Sequence, residues 1–100
     1  MMNQLHGIML IAPQHLRRGK DVIVDATASK PEHRATWIQI AQRTRARTRL
    51  VVFTTPLDVC LYRNSQRTRG IVPTAIVIQQ HQAISTADFN SEPWDEVIRL

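Results

Sequence analysis

Apolar residues fall into two kinds of grouping along this chain. Three short runs are continuous: "DVIVDA" at about residues 21–26, "LVVFTT" within about 49–54, and "WDEVIRL" ending in about 96–100. Runs of four to eight residues rich in Val and Ile suit strands buried on both faces. Elsewhere the apolar positions recur every three or four residues, which predicts helices over about 3–18, 30–46, 56–68 and 73–84. In the first, Leu5, Ile8, Met9, Ala12 and Leu16 share a face and Gly19 closes the helix, while Pro13 should kink it. "SKPE" reads as a capping box for the second, with Ser29 as N-cap, Glu32 reaching back, and Trp37, Ile40 and Ala41 facing inward. Thr55 is the expected N-cap of the third, whose inner face is Leu57, Cys60, Leu61 and Asn64. Pro73 opens the fourth, with Ile76, Val77, Gln80 and Ile84 inward.

Strands alternating with helices imply right-handed crossovers and a parallel sheet. The expectation is therefore one α/β domain over residues 1–100, with about three parallel strands flanked by helices. Ligands of such sheets bind beyond the carboxyl ends of the strands, which points to Asp25, Thr27, Thr54 and Thr55. No internal repeat or low-complexity segment interrupts this pattern.

Charge adds a direction to it. Thirteen Lys and Arg outnumber eight Asp and Glu, and twelve of the thirteen precede Gly70. Such a field attracts polyanions without selecting among nucleic acid, nucleotides and anionic lipid. The single cysteine, Cys60, cannot form an internal disulfide, and it suits a reducing cytosol. No apolar run approaches the roughly eighteen residues of a membrane helix, so the expected location is the cytoplasm, with no membrane partner.

Several side chains could carry chemistry. Asp25, at the end of an apolar run, can hold a metal ion through water or orient a hydroxyl, or simply cap a turn. Arg63 and Arg67 in "RNSQRTRGIVP" share a helix face, and Arg69 follows before Gly70. Together they can grip phosphate oxygens, or complement a helix C-terminus. Arg43, Arg45 and Arg47 form a basic run that suits nucleic acid or a solvated face, with no interleaved aromatics to stack bases. His6, His15, His33 and His81 have no metal-ligand spacing. No GxxxxGK[ST] phosphate-cradling loop is present, and Gly7, Gly19 and Gly70 lie outside any such setting.

From Arg18 onward the order of "VIVDAT", "TPLDVCLYRN", "RNSQRTRGIVP" and "WDEVIRL" resembles the C-terminal half of a P-loop kinase. It is similar in particular to the polynucleotide 5′-hydroxyl kinases and their small ATP-binding, AAA-type relatives. The resemblance implies a partial three-layer P-loop NTPase fold and phosphoryl transfer from ATP, with Mg²⁺, to a polynucleotide 5′-hydroxyl or related acceptor. It implies Asp25 at the strand end near metal and phosphates, with Thr27 beside it. It makes Arg67 the lid arginine that stabilises transferred charge, supported by Arg63 and Arg69. Arg34 matches a basic position of the family only loosely, and its role stays open.

The chain departs from the family pattern in two respects. Ala28 stands where relatives usually carry Asn, and the Walker A strand and loop and the following substrate aspartate have no counterpart. In the family that strand lies between those formed by "VIVDA" and "LVVFTT". Its absence predicts two strands with unpaired inner edges, closed on each other, filled by another chain, or left poorly stable. The expected partners are accordingly an N-terminal half carrying the P-loop, or self-association, besides a nucleic-acid substrate. Alone, the chain should transfer phosphate poorly. The competing readings are a non-catalytic nucleic-acid-binding module using Arg43, Arg45 and Arg47, and a degenerate kinase remnant.

Overall fold

The computed structural model describes residues 12–25 and 29–100. Helical residues 12–17 (α1) end where predicted. Gly19 adopts φ 75°, and the Gly19 and Lys20 amides bond back to the carbonyls of Leu16 and His15. An L side chain at that left-handed position would be strained, so glycine suits it. Residues 3–11 of the predicted first helix lie outside the described residues.

Helix α2 spans Pro31–Thr44, with Pro31 in its first turn, where a missing amide costs nothing. The predicted capping box does not form. Lys30 occupies the N-cap, and no side chain caps the helix. At the other end Arg45 takes a left-handed φ of 56°, and the amides of Arg45 and Ala46 close the helix on Gln42 and Ala41. Strand β1 (Arg49–Val52) leads to α3 (Leu57–Ser65), and α4 (Thr74–Thr86) follows. Pro56 and Pro73 stand at the N-caps of these two helices, so Thr55 is not the cap of α3. A short 3-10 turn, Phe89–Ser91, then leads into β2 (Glu96–Arg99).

The sheet has two strands among the described residues, β1 and β2, paired in parallel with Arg49 opposite Glu96 and Val52 opposite Arg99. Parallel neighbours require a long crossover, here supplied by α3 and α4. Side-chain polar groups fasten both ends of the ladder. At the start, Asp95 accepts from the Thr48 amide at 2.6 Å and from its hydroxyl at 3.2 Å, and the Asp95 amide donates to Thr48 Oγ1. At the finish, the Thr54 amide and hydroxyl both donate to the Leu100 main-chain oxygen.

The third strand expected over residues 21–26 is not formed by residues 21–25, which have no regular structure; residue 26 lies outside the described set. Ile23, expected in a buried strand, is 92% exposed. A strand exists through its ladder partner, and these residues have none in the sheet. Their β-branched composition alone does not supply one.

The core is correspondingly small. Ile38 and Ala41 of α2, Val52 of β1, Phe89, and Ala12 of α1 are buried. Arg34 joins them at 2% exposure, whereas Trp37 and Ile40, expected inward, are half-buried. On α4 the expected inner side chains Val77, Gln80 and Ile84 are half-buried, and Ile76 is exposed.

Candidate functional site

A concave site with a basic lining lies where α3 meets α4. Cys60, Arg63, Asn64 and Arg67 line it from α3 and its exit, and Val72, Val77 and Gln80 from the other side, around about 250 Å³. Helical periodicity explains Cys60, Arg63 and Asn64, which fall on one face of α3, whereas Arg67, expected on the same helix face, follows the helix end at Ser65 and reaches the groove from the loop. The loop after α3 is shaped by Asn64, which is 8% exposed. Its Nδ2 donates to the Val72 carbonyl at 2.7 Å, and its Oδ1 accepts the Val72 amide at 3.0 Å. One amide side chain thus takes the place of a strand neighbour and pins residue 72 across the groove.

Gly70, at φ 68°, makes the left-handed turn that brings the chain back. The Arg67 guanidinium donates to the Gly70 carbonyl at 3.2 Å, so in this structure it lies along the loop. Arg63 and Arg67 are both exposed and line the same groove, while Arg69 is exposed and outside the lining. His81 ties α4 to the turn before α3. Its Nε2 lies 3.0 Å from the Thr55 carbonyl, which can only accept, so Nε2 carries the hydrogen. Cys60, read as a core residue, is half-buried, and its Sγ lies 3.8 Å from the same carbonyl.

The other predicted residues lie elsewhere. Asp25 is exposed, outside regular structure, and is not part of the groove lining. Thr27 lies outside the described residues. Arg43 faces solvent in the last turn of α2, and Arg45 sits at the left-handed cap. Arg47 is exposed and contributes to lowering the Asp95 pKa, after the larger effect of the Thr48 hydrogen bonds. Among the described residues, no three His, Cys, Asp or Glu side chains are placed to hold a metal ion.

Arg34 shows what position in sequence left open. Its Nε and one terminal nitrogen clasp Glu92 at 2.8–3.1 Å, and its guanidinium lies 4.7 Å from the Phe89 ring centroid. Trp94 Nε1 donates to the same carboxylate at 2.9 Å. The Arg34 hydrogen bonds hold the Glu92 carboxyl below its ordinary pKa; burial opposes them, and the Trp94 bond and the Arg34 charge reinforce them. This paired, aromatic-stacked arginine fastens α2 to the segment that leads into β2. Its partner stands 58 positions away, so no local pattern announces it.

Chemically, the groove offers two guanidiniums on one face, beside a loop held by a buried amide. Such a surface suits an anion with several oxygens. No curated protein matches the chain significantly. The profile of the AAA domain family matches residues 4–86, a span that contains α1 to α4 and β1. The chain therefore belongs to the AAA domain family, a P-loop kinase-like group.

Proposed function

We propose that this chain is the phosphate-gripping part of an ATP-dependent kinase domain that phosphorylates a polynucleotide 5′-hydroxyl or a related hydroxyl. The carrying observation is that Arg63 and Arg67 line one groove whose far wall is pinned by Asn64. In this reading Arg67 leaves the Gly70 carbonyl and reaches the transferred phosphoryl group, with Arg63 beside it and Arg69 at the rim. Spreading positive charge over the equatorial oxygens is the principal protein contribution to such transfers.

The groove fits the phosphates of ATP, but backbone amides that would cradle a triphosphate are lacking, because the chain has no GxxxxGK[ST]. Mg²⁺ would enter on the nucleotide; Asp25, the carboxylate that the family resemblance assigns to it, lies outside the groove lining in this structure. Activity accordingly requires a partner segment that carries a P-loop.

The test is complementation. The chain alone should show no ATP binding by calorimetry, and adding a Walker A strand-loop-helix fragment should restore label transfer to a 5′-hydroxyl oligonucleotide. Arg67→Ala in that complex should cut the rate by about 10²–10³-fold. An inactive complex that is indifferent to Arg67→Ala would overturn the reading. Salt-sensitive single-strand binding that requires Arg43, Arg45 and Arg47, yet ignores Asp25, would favour a non-catalytic module instead.

A further inference from the structure

One edge of strand β1 is bare among the described residues. In a parallel ladder the main-chain groups of alternate residues point to opposite neighbours. Thr48, Val52 and Thr54 bond to β2, so Arg49, Val51 and Phe53 present their amides and carbonyls to the other side. Among the described residues no strand pairs there. Val51 is 42% and Phe53 70% exposed along it.

A second segment has the complementary defect. "DVIVD", Asp21 to Asp25, is an apolar β-branched run without a ladder, flanked by acids. The bare edge is an apolar run entered through Arg47 and Arg49. With Ile23 opposite Val51, either strand direction sets one aspartate across from Arg49, whose side chain is 66% exposed beyond its contact with Glu96. Within one molecule residues 21–25 do not join the sheet, while α2 is clasped to the β2 segment by Arg34 and Glu92. A second copy carries no such tether.

We infer that two copies of this chain associate by β-strand addition, residues 21–25 of each pairing with the bare edge of β1 in the other. The inference stands apart from the kinase reading, since it uses only edge pairing and charge. In the paired state each copy gains a third strand, and Ile23 is covered. A P-loop partner bound at the same edge would compete with this dimer.

Two Cys60→Ser variants test it, one carrying Ile23→Cys and the other Val51→Cys. Mixed and treated with a short bismaleimide, they should give a cross-linked dimer, whereas a Gln82→Cys variant on α4 should not pair with Ile23→Cys. Sedimentation of the wild-type chain should show a concentration-dependent dimer. Val51→Pro removes an edge amide that β2 does not use, and should raise the dimer Kd by about tenfold or more. Asp21→Lys with Asp25→Lys should weaken it similarly. A chain that stays monomeric, a cross-link formed only inside the Ile23→Cys/Val51→Cys double variant, or a dimer indifferent to the edge variants would overturn it. Should Val51→Pro fail to fold by circular dichroism, the mixed cross-link decides.

Discussion

The two edges of β1 belong to the same four residues, yet they have opposite fates. One is laddered to β2 and fastened at both ends by Thr48 with Asp95 and Thr54 with Leu100. Behind it the Arg34–Glu92 clasp holds α2 to the β2 approach. The other edge has no partner strand among the described residues, and the apolar segment at residues 21–25 stays outside the sheet. The comparison teaches that hydrophobic, β-branched sequence is necessary for a strand and insufficient for one. What separates the edges is a partner that arrives with its own side-chain fastenings.

The strongest way to break the fastened side is to leave Arg34 buried without its acid. Glu92→Gln should lower unfolding free energy in urea by about 2–3 kcal/mol, between the exposed and fully buried limits for an ion pair. Replacing both partners, Arg34→Met with Glu92→Leu, should recover most of that loss, since no orphaned charge remains. If the double variant is as unstable as the single one, the clasp's role lies in geometry rather than charge.

Acid should act on the same side. Glu92 and Asp95 both titrate below their ordinary values, Glu92 through Arg34 first and Asp95 through the Thr48 hydrogen bonds first. A depressed folded pKa contributes stability that is fully present above the unfolded value and lost as pH falls through the folded one. Wild-type stability should therefore be level at neutral pH and decline through and below the ordinary carboxylate range. Glu92→Gln should show a shallower decline in the same series of melts.

The α3–α4 groove lies between these extremes, being built from local helices with one buried polar stitch. Asn64→Ala strands the Val72 amide and carbonyl and should cost about 1–3 kcal/mol. Its distinguishing signature is faster hydrogen exchange over residues 66–72, with the β1–β2 ladder unchanged. Smallest of all, Arg49→Ala removes an exposed pair with Glu96 and should cost less than about 1 kcal/mol in the melt. A larger loss would mean that the sheet depends on its solvent-facing pair more than the geometry indicates.

Much of the fold was legible because it is local. The spacing of Leu57, Cys60, Leu61 and Asn64 placed α3 and the arginine face that lines the groove. Gly19 and Gly70 marked chain reversals, since both sit at positive φ. The two capping predictions failed for an equally local reason: Lys30 and Pro56 hold the N-cap positions, and no side chain caps either helix. Arg34 was illegible, since its burial depends on Glu92 and Phe89 arriving from the far end of the chain. Asn64 was read as part of an inner face, and its amide gave no hint of pinning Val72.

Sequence by itself determined the helices, the two strands that form and the basic lip of the groove. These rest on periodicity, turn chemistry and residue type, all of which act over a few positions. Only the tertiary structure decided that residues 21–25 form no strand, and that one arginine is buried while Arg63 and Arg67 face solvent. Those outcomes depend on which distant main-chain and side-chain groups meet, because hydrogen bonds and ion pairs are completed by partners that local pattern does not name.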